Sequence, residues 1–154
     1  MKYSFDTSAF IGAWVRHYPN DIFPAVWEHF DKLIQHNHLK ASDEVKRELE
    51  EHGDELYEWV KRRKKMFCSL DASLQKRVTR IQKQFPSLVK LDRTRPDADP
   101  FVIALAQEHN LTVVSYEQAK PTKPHIPDVC QTLGIAHISL VELFRREGWQ
   151  FRNA

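Results

Sequence analysis

Apolar residues recur along this chain with two different spacings, and the change between them predicts alternating strands and helices. Four short apolar runs predict buried strands, because a strand covered on both faces lacks polar alternation. They lie at residues 2–6, 39–41, 111–115 and 135–139. Apolar residues at helical spacing predict helices from Thr7 or Ser8 to about Tyr18, from Pro24 to about His36, from Ser42 to Gly53, and at about 54–67, 73–85, 101–106, 128–133 and 140–147. This alternation indicates an α/β fold with a central parallel sheet covered on both faces.

Length and composition indicate a single folded domain over residues 1–154. Apolar residues make up 42% and charged residues 29% of the chain, which is typical of a globular protein with its own core. No apolar run approaches the ~20 residues that a membrane-spanning helix needs, and the first residues do not resemble a signal peptide. Cys68 and Cys130 form no paired motif, as is usual in a reducing compartment. We therefore expect a cytoplasmic protein that does not engage a membrane.

Charge is segregated along the chain, although its net value is only +2. Lys61, Arg62 and Lys65 belong to an unbroken basic run that follows Trp59 on a predicted helix. The cations could track phosphates while a base stacks on the ring, or the run could simply be a solvated helix face. The pattern does not choose between these interpretations, and segregated charge is compatible with nucleic-acid binding without requiring it.

Acidic residues stand next to the predicted elements at points that meet along one edge of the sheet. They are Asp6 after the first strand, Glu44 and Glu48 on the helix after the second, Asp97 and Asp99 before the buried helix, and Glu117 beyond the strand at 111–115. In a parallel sheet the carboxyl ends of the strands share an edge, where ligands collect. Carboxylates gathered there repel one another unless a divalent cation neutralises them, and oxygen ligands suit Mg²⁺ or Mn²⁺.

Each acid also has a purely structural interpretation. Asp6 or Asp99 could simply cap the helix that follows it, and Glu117 could be an ordinary loop acid. The combined pattern is harder to explain in this way, because every acid falls at the same predicted edge.

The two glutamates can be ranked by their positions around the helix. Glu48 lies about 60° from the apolar Val45 and Glu44 about 100° from it, at the helical rotation of about 100° per residue. Glu48 should therefore lie nearer the core border, where a partly buried ligand belongs. Glu44 could instead pair with Lys40 or Arg47 on a solvated face.

Four segments of the chain resemble the motifs of the PIN-domain family, in particular the VapC-like toxins. Tyr3–Ser8 is similar to the opening strand with its Asp and hydroxylated residues, and Ala41–Leu49 to the helix that carries a Glu-Leu pair. Asp99–Ala106 resembles the third motif, an Asp that opens an Ile/Ala-rich helix, and Leu111–Glu117 resembles the strand that ends in an acid. Each motif alone is weak, but their order and spacing together are fairly specific.

This resemblance implies a three-layer α/β/α fold, a Mg²⁺ or Mn²⁺ cofactor and endonucleolytic cleavage of RNA. Carried over by position, the catalytic and metal-binding residues are Asp6, Glu48, Asp99 and Glu117, with Asp97 as a second candidate beside Asp99. The family usually has Asp where this chain has Glu117. The proline-containing segment at 120–130 and the long helical stretch at 54–85 also depart from its pattern, which indicates a divergent branch.

Further residues are candidates for contacts with RNA or protein. Arg93 and Arg95 stand just before the Asp97 and Asp99 pair, where they could hold a phosphate near the metal. A toxin should also be restrained by a cognate antitoxin. The first two helices carry large apolar residues that could exceed what the core covers and leave a surface for that antitoxin or for a homodimer. They are Phe10, Trp14, Phe23, Trp27 and Phe30.

The leading functional hypothesis is therefore a metal-dependent endoribonuclease that acts as the toxin of a bacterial type II toxin–antitoxin pair. One alternative is a PIN-like nuclease that acts in RNA processing or on structured DNA without an antitoxin. A second is a catalytically inactive binding module that keeps the fold.

Overall fold

Five parallel strands form the central sheet of the protein, whose computed structural model describes residues 1–88, 97–116 and 125–152. The strands are β1 (Tyr3–Phe5), β2 (Leu39–Ser42), β3 (Phe67–Cys68), β4 (Thr112–Val114) and β5 (His137–Ile138). Their order across the sheet is β3-β2-β1-β4-β5, and every neighbouring pair is parallel. The predicted α/β class with a central parallel sheet is confirmed.

Eight α-helices within these ranges flank the sheet and give a three-layer α/β/α arrangement. They are α1 (Thr7–Ile11), α2 (Pro24–Gln35), α3 (Asp43–His52), α4 (Glu55–Lys61), α5 (Ala72–Gln84), α6 (Asp99–His109), α7 (Ile126–Leu133) and α8 (Leu140–Glu147). A π-helical turn at Gly12–His17 continues α1, and 3₁₀ turns cover Lys64–Met66 and Pro86–Leu88. Among the helices described, none is both long and apolar enough to cross a bilayer.

The sixth helix lies in the centre of the core. All its residues from Pro100 to Ala106 are buried, as expected of a helix that is apolar on every side. It is tied to the central strand because the Ser4 hydroxyl donates a hydrogen bond to the backbone oxygen of Val102 at 2.9 Å. The start of α6 is thereby held close to the end of β1.

The path of the chain across the sheet reverses between β1 and β4. From β1 the strands proceed outward through β2 to β3, and the chain then returns to place β4 and β5 on the other side of β1. In open α/β sheets, ligands bind in the crevice that such a reversal leaves at the carboxyl ends of the strands. Asp6 lies at this point, where its backbone N–H donates to the carbonyl oxygen of Val114 at 3.0 Å.

The helix predicted over residues 54–67 is wrong in its last part. The chain leaves helical geometry at Arg63, passes through the Lys64–Met66 turn and forms β3, whose two residues pair with Ala41 and Ser42. A strand of two residues is too short to show an alternating pattern. Its pairing is a tertiary contact that local spacing cannot reveal.

His137, the first residue of β5, is a partly buried titratable group, and its effect on stability can be tested. His137 Nε2 and the hydroxyl of the buried Ser115 form a hydrogen bond of 2.6 Å, and burial lowers the pKa of His137 below its ordinary 6.5 despite the opposing charge of Glu142. As pH falls through 6.5, the unfolded chain therefore takes up a proton that the folded ring resists, and the free energy of unfolding decreases. We expect His137→Gln to remove part of this loss, measured by urea unfolding at about pH 8 and about pH 5.5. The same decrease in both proteins would contradict a neutral, buried imidazole.

Candidate active site

Asp6 stands at the carboxyl end of β1 and is only 2% exposed. Its Oδ2 accepts hydrogen bonds from the backbone N–H of Ser8 at 3.2 Å and from the Ser8 hydroxyl at 2.6 Å. Asp6 is thus the N-cap of α1, which confirms the structural interpretation of this residue, and the helix itself begins at Thr7. The extended backbone of the residue that leaves the strand is the conformation an N-cap requires. The structural and the chemical interpretations of Asp6 are therefore compatible.

Glu48 connects the start of α1 to the start of α6. Its Oε1 accepts a hydrogen bond from the Thr7 hydroxyl at 2.5 Å, and its Oε2 accepts one from the backbone N–H of Ala98 at 3.3 Å. One carboxylate on α3 is thereby held between the segments that follow β1 and precede α6. This placement agrees with the prediction that Glu48 faces the carboxyl edge of the sheet.

Asp97 is the third carboxylate at this edge and is 8% exposed. Its Oδ1 accepts a hydrogen bond from the backbone N–H of Asp99 at 3.1 Å. Asp99 is the first residue of α6, and Ala98 is the N-cap, so the prediction of Asp99 as the cap is wrong by one residue. Ala98 has no side chain that could accept a hydrogen bond at this helix start, and the side chain of Asp97 accepts one from the first N–H of α6 instead.

The ionisation of Glu48 reports how close these acids lie to one another. The pKa of Glu48 is raised to about 6, chiefly by burial and also by the negative charges of Asp97 and Asp6, against the hydrogen bonds from Thr7 and Ala98, which lower it. Carboxylates that repel each other in this way indicate a shared, partly desolvated site. Asp6, Glu48 and Asp97 form this set, which we call the acidic cluster.

The burial of the two glutamates on α3 differs from what the helical wheel predicts. Glu44 is 8% exposed and Glu48 only half-buried, so the predicted order of burial is wrong. Glu44 lies in the first turn of α3, and this helix packs against β2, β3, α1 and α4, neighbours that an isolated helical wheel does not include. Its Oε2 forms an ion pair with Arg47 Nη1 at 2.9 Å, one of the two partners expected.

The acidic cluster is not a ready-made metal site. Across residues 1–88, 97–116 and 125–152, no group of three or more His, Cys, Asp or Glu side chains is arranged to hold an ion. In the cluster, oxygens of all three acids accept hydrogen bonds from the protein. Glu117, Arg93 and Arg95 lie outside the described residues, so their predicted roles stay predictions.

The basic run does not reach the acidic cluster. Lys65 precedes β3, at the amino end of the sheet, where its Nζ donates to the backbone oxygen of Gln35 at 2.7 Å. Lys61 pairs with Glu58 at 2.7 Å, and Arg62 lines a cavity between helices. These contacts favour the structural interpretation, and the predicted contact of Lys61, Arg62 and Lys65 with RNA stays a prediction.

The large apolar residues of the first two helices serve mainly the core. Phe10, Trp27 and Phe30 are buried, and Trp14 is partly buried against Trp27. Phe23 remains 38% exposed. A cavity of about 790 Å³ opens beside Trp14 at this face of the molecule, away from the acidic cluster.

The sequence does not identify Thr7 as a partner of Glu48. Thr7 directly follows Asp6, at a predicted helix start and within the segment that resembles the first PIN motif. A hydroxyl next to a carboxylate at a strand end is a signal for such a partner, since it can donate to an acid arriving from another element. Local sequence patterns cannot predict this contact, because Thr7 and Glu48 are 41 residues apart in the chain.

Comparisons with known proteins identify the fold and the family of the chain. A crystal structure of PAE2754 from Pyrobaculum aerophilum is similar to it with a TM-score of 0.53 and 18% sequence identity, over 97% of each chain. At this identity the likeness concerns the fold alone, and it supports the three-layer arrangement. No curated protein sequence matches the chain at a significant level. A family described as "Domain of unknown function (DUF4411)" matches residues 3–151. The chain therefore belongs to this family.

Proposed function

We propose that the chain is a metal-dependent endoribonuclease of PIN type, the toxin component of a bacterial type II toxin–antitoxin system. The observation that carries the proposal is the convergence of Asp6, Glu48 and Asp97 at the reversal point between β1 and β4. Placing three carboxylates together in a partly buried site is costly for stability unless they have a ligand. The resemblance of four sequence segments to PIN motifs supports RNA as the substrate.

The donor chemistry of the acidic cluster suits Mg²⁺ or Mn²⁺. All three side chains offer hard carboxylate oxygens, and a divalent charge would relieve the repulsion that adds to burial in raising the pKa of Glu48. Asp99, next to Asp97, and Glu117 complete the proposed ligand set. A bound ion would supply an activated water and stabilise the negative charge that develops on the phosphate and the leaving oxygen.

The protein orients at least one oxygen of each acid in the cluster. Thr7 holds Oε1 of Glu48, Ser8 holds Oδ2 of Asp6, and the backbone N–H of Asp99 holds Oδ1 of Asp97. Hydrogen-bonded partners of this kind orient metal-binding carboxylates and are worth roughly 10–100-fold in affinity or activity. The carboxylates are thus oriented before any ligand arrives.

Metal-titrated cleavage of total tRNA and rRNA tests the proposal. We expect cleavage to stop in excess chelator and to return with Mg²⁺ or Mn²⁺. Because water attacks phosphorus without help from the ribose 2′-OH, the products should carry a 5′-phosphate and a 3′-hydroxyl. End-group analysis of the fragments decides this point.

Asp6→Asn is the matched control for contamination by other ribonucleases. Asn keeps the size of the side chain and an oxygen that can accept from Ser8, while it removes the charge that a metal needs. Cleavage that persists in chelator or in Asp6→Asn would contradict the metal mechanism. A 2′,3′-cyclic phosphate would exclude water as the nucleophile even if metal dependence holds.

The proposed toxin role requires a partner that restrains it. Val15, Ile22 and Phe23, which lie between α1 and α2 in the chain, are 55%, 67% and 38% exposed. These exposed apolar residues support a protein partner, either the antitoxin or a second copy of the chain. Light scattering at high concentration separates the two, because a stable monomer excludes the homodimer.

One observation favours the inactive binding module as a second candidate. Within the described ranges the carboxylates bind protein donors, and no three of them form a metal-ready group. A thermal melt that neither Mg²⁺ nor Mn²⁺ shifts would support the module, whereas a shift that Asp6→Asn abolishes would support the nuclease.

A further inference from the structure

A stacked pair of exposed aromatic rings lies beside the acidic cluster. Tyr116 comes two residues after the end of β4 and is 40% exposed. Its ring stacks on that of His17, with centroids 5.1 Å apart and planes inclined by 28°. The Tyr116 hydroxyl is also hydrogen bonded to Nε2 of His17. The two rings therefore form one stacked unit, which we call the Tyr116–His17 pair.

The backbone beneath this pair is shaped to receive it. His17 ends the π-helical turn that begins at Gly12, and π-helical turns are rare and occur frequently at functional sites. A Cβ atom at Gly12 would lie only 2.9 Å from Cδ2 of Tyr116. The ring thus rests directly on the backbone of Gly12, and any larger residue there would displace it.

Two hydrogen bonds join Tyr116 to the acidic cluster. Its backbone N–H donates to the Ser8 hydroxyl at 3.0 Å, and that hydroxyl donates to Oδ2 of Asp6 at 2.6 Å. The Tyr116–His17 pair therefore has a fixed position relative to a carboxylate of the proposed catalytic site. It also lies at the same reversal point between β1 and β4.

We propose that the Tyr116–His17 pair is a stacking platform for a nucleobase of the RNA, next to the phosphate that is cleaved. This inference rests on the proposed ribonuclease function and assigns the part of the substrate that the acidic cluster does not bind. Single-stranded bases are held by stacking on Tyr and His side chains, and the contact tolerates every base because each has a π face. Tyr116 and His17 act as binding and positioning residues, so their loss should affect KM more than kcat.

Kinetics with matched variants give the first test. We expect Tyr116→Ala to raise KM roughly tenfold, which is within the range for loss of one stacked base, and to leave kcat nearly unchanged. Tyr116→Phe keeps the ring and should retain most of the binding. Phe151→Ala is the control, because Phe151 is an equally exposed aromatic residue, 42%, near the C-terminus. Gly12→Ala keeps Tyr116 but displaces its ring, and should raise KM as Tyr116→Ala does.

Substrate variants show whether the effect is stacking. An oligoribonucleotide carrying 2-aminopurine at successive positions, bound in the presence of chelator, should show quenched fluorescence at one position with the wild type but not with Tyr116→Ala. An abasic sugar at that position should raise KM for the wild type and add nothing to Tyr116→Ala. Thermal melts of each variant confirm folding.

The outcomes separate the two proposals. If the wild type binds and cleaves RNA but no 2-aminopurine position responds to Tyr116, or if the abasic and Tyr116→Ala effects multiply, the platform is wrong and the nuclease stands. If the wild type neither binds nor cleaves RNA, both proposals are wrong.

Discussion

Glu48→Gln is expected to lower RNA cleavage by more than about 100-fold, because partners that only orient a metal-binding side chain already cost roughly 10–100-fold. The substitution removes the charge that would face the metal and leaves one oxygen to serve the two donors that Glu48 accepts from, Thr7 and Ala98. Glu44→Gln is the matched control, since it makes the same chemical change one turn away on α3. Its ion pair is with Arg47, so we expect activity to remain within about threefold of the wild type.

The measurement is a single-turnover cleavage rate at saturating Mg²⁺ for the wild type and both variants. Circular dichroism of the three proteins checks that α3 is intact. A larger loss in Glu44→Gln than in Glu48→Gln would show that the acid one turn earlier is the ligand. Equal, small losses would remove α3 from the site and leave Asp6 and Asp97 without their third acid.

The parallel sheet and four of its five strands were predictable from the sequence, because these strands are buried and short. Runs such as Leu111–Ser115 are apolar on both faces, a pattern that parallel strands require and few other elements produce. The position of Asp6 followed from the same logic, since the residue after a buried strand must lie at the carboxyl edge. The predicted start of α3 at Ser42 is also confirmed, because Ser42 is the N-cap of this helix and its hydroxyl accepts from the N–H of Val45 at 3.3 Å.

The features that were missed depend on contacts between distant segments. β3 exists because Phe67 and Cys68 pair with β2, and Glu44 is buried on a helix that packs against two strands and two other helices. Neither effect leaves a trace in local periodicity. The Tyr116–His17 pair joins residues 99 positions apart. Only the fold shows that the Tyr116 ring packs against Gly12, where a side chain would not fit.

Asp97→Asn is expected to have opposite effects on activity and on the stability of the metal-free protein. Cleavage should fall by more than about tenfold, because a proposed ligand loses its charge. The metal-free protein should become more stable, because the Asp97 charge raises the pKa of Glu48 and the Asn oxygen can still accept from the N–H of Asp99. The gain is on the order of 0.5 kcal/mol after allowance for solvent screening, or a rise in Tm of roughly 1–2 °C.

The pH dependence of the stability gained by Asp97→Asn is a second test of its direction. Repulsion between Asp97 and Glu48 exists only while both are ionised, so the stabilisation should be present above about pH 6, where Glu48 carries its charge, and should fade as pH drops below it. Asp99→Asn is the control, because the charge of Asp99 lies in the first turn of α6 and favours the positive end of that helix. It should reduce cleavage and slightly lower stability. Thermal melts in chelator at several pH values measure both variants, and a loss of stability in Asp97→Asn above pH 6 would show that Asp97 serves the helix start rather than a shared acidic site.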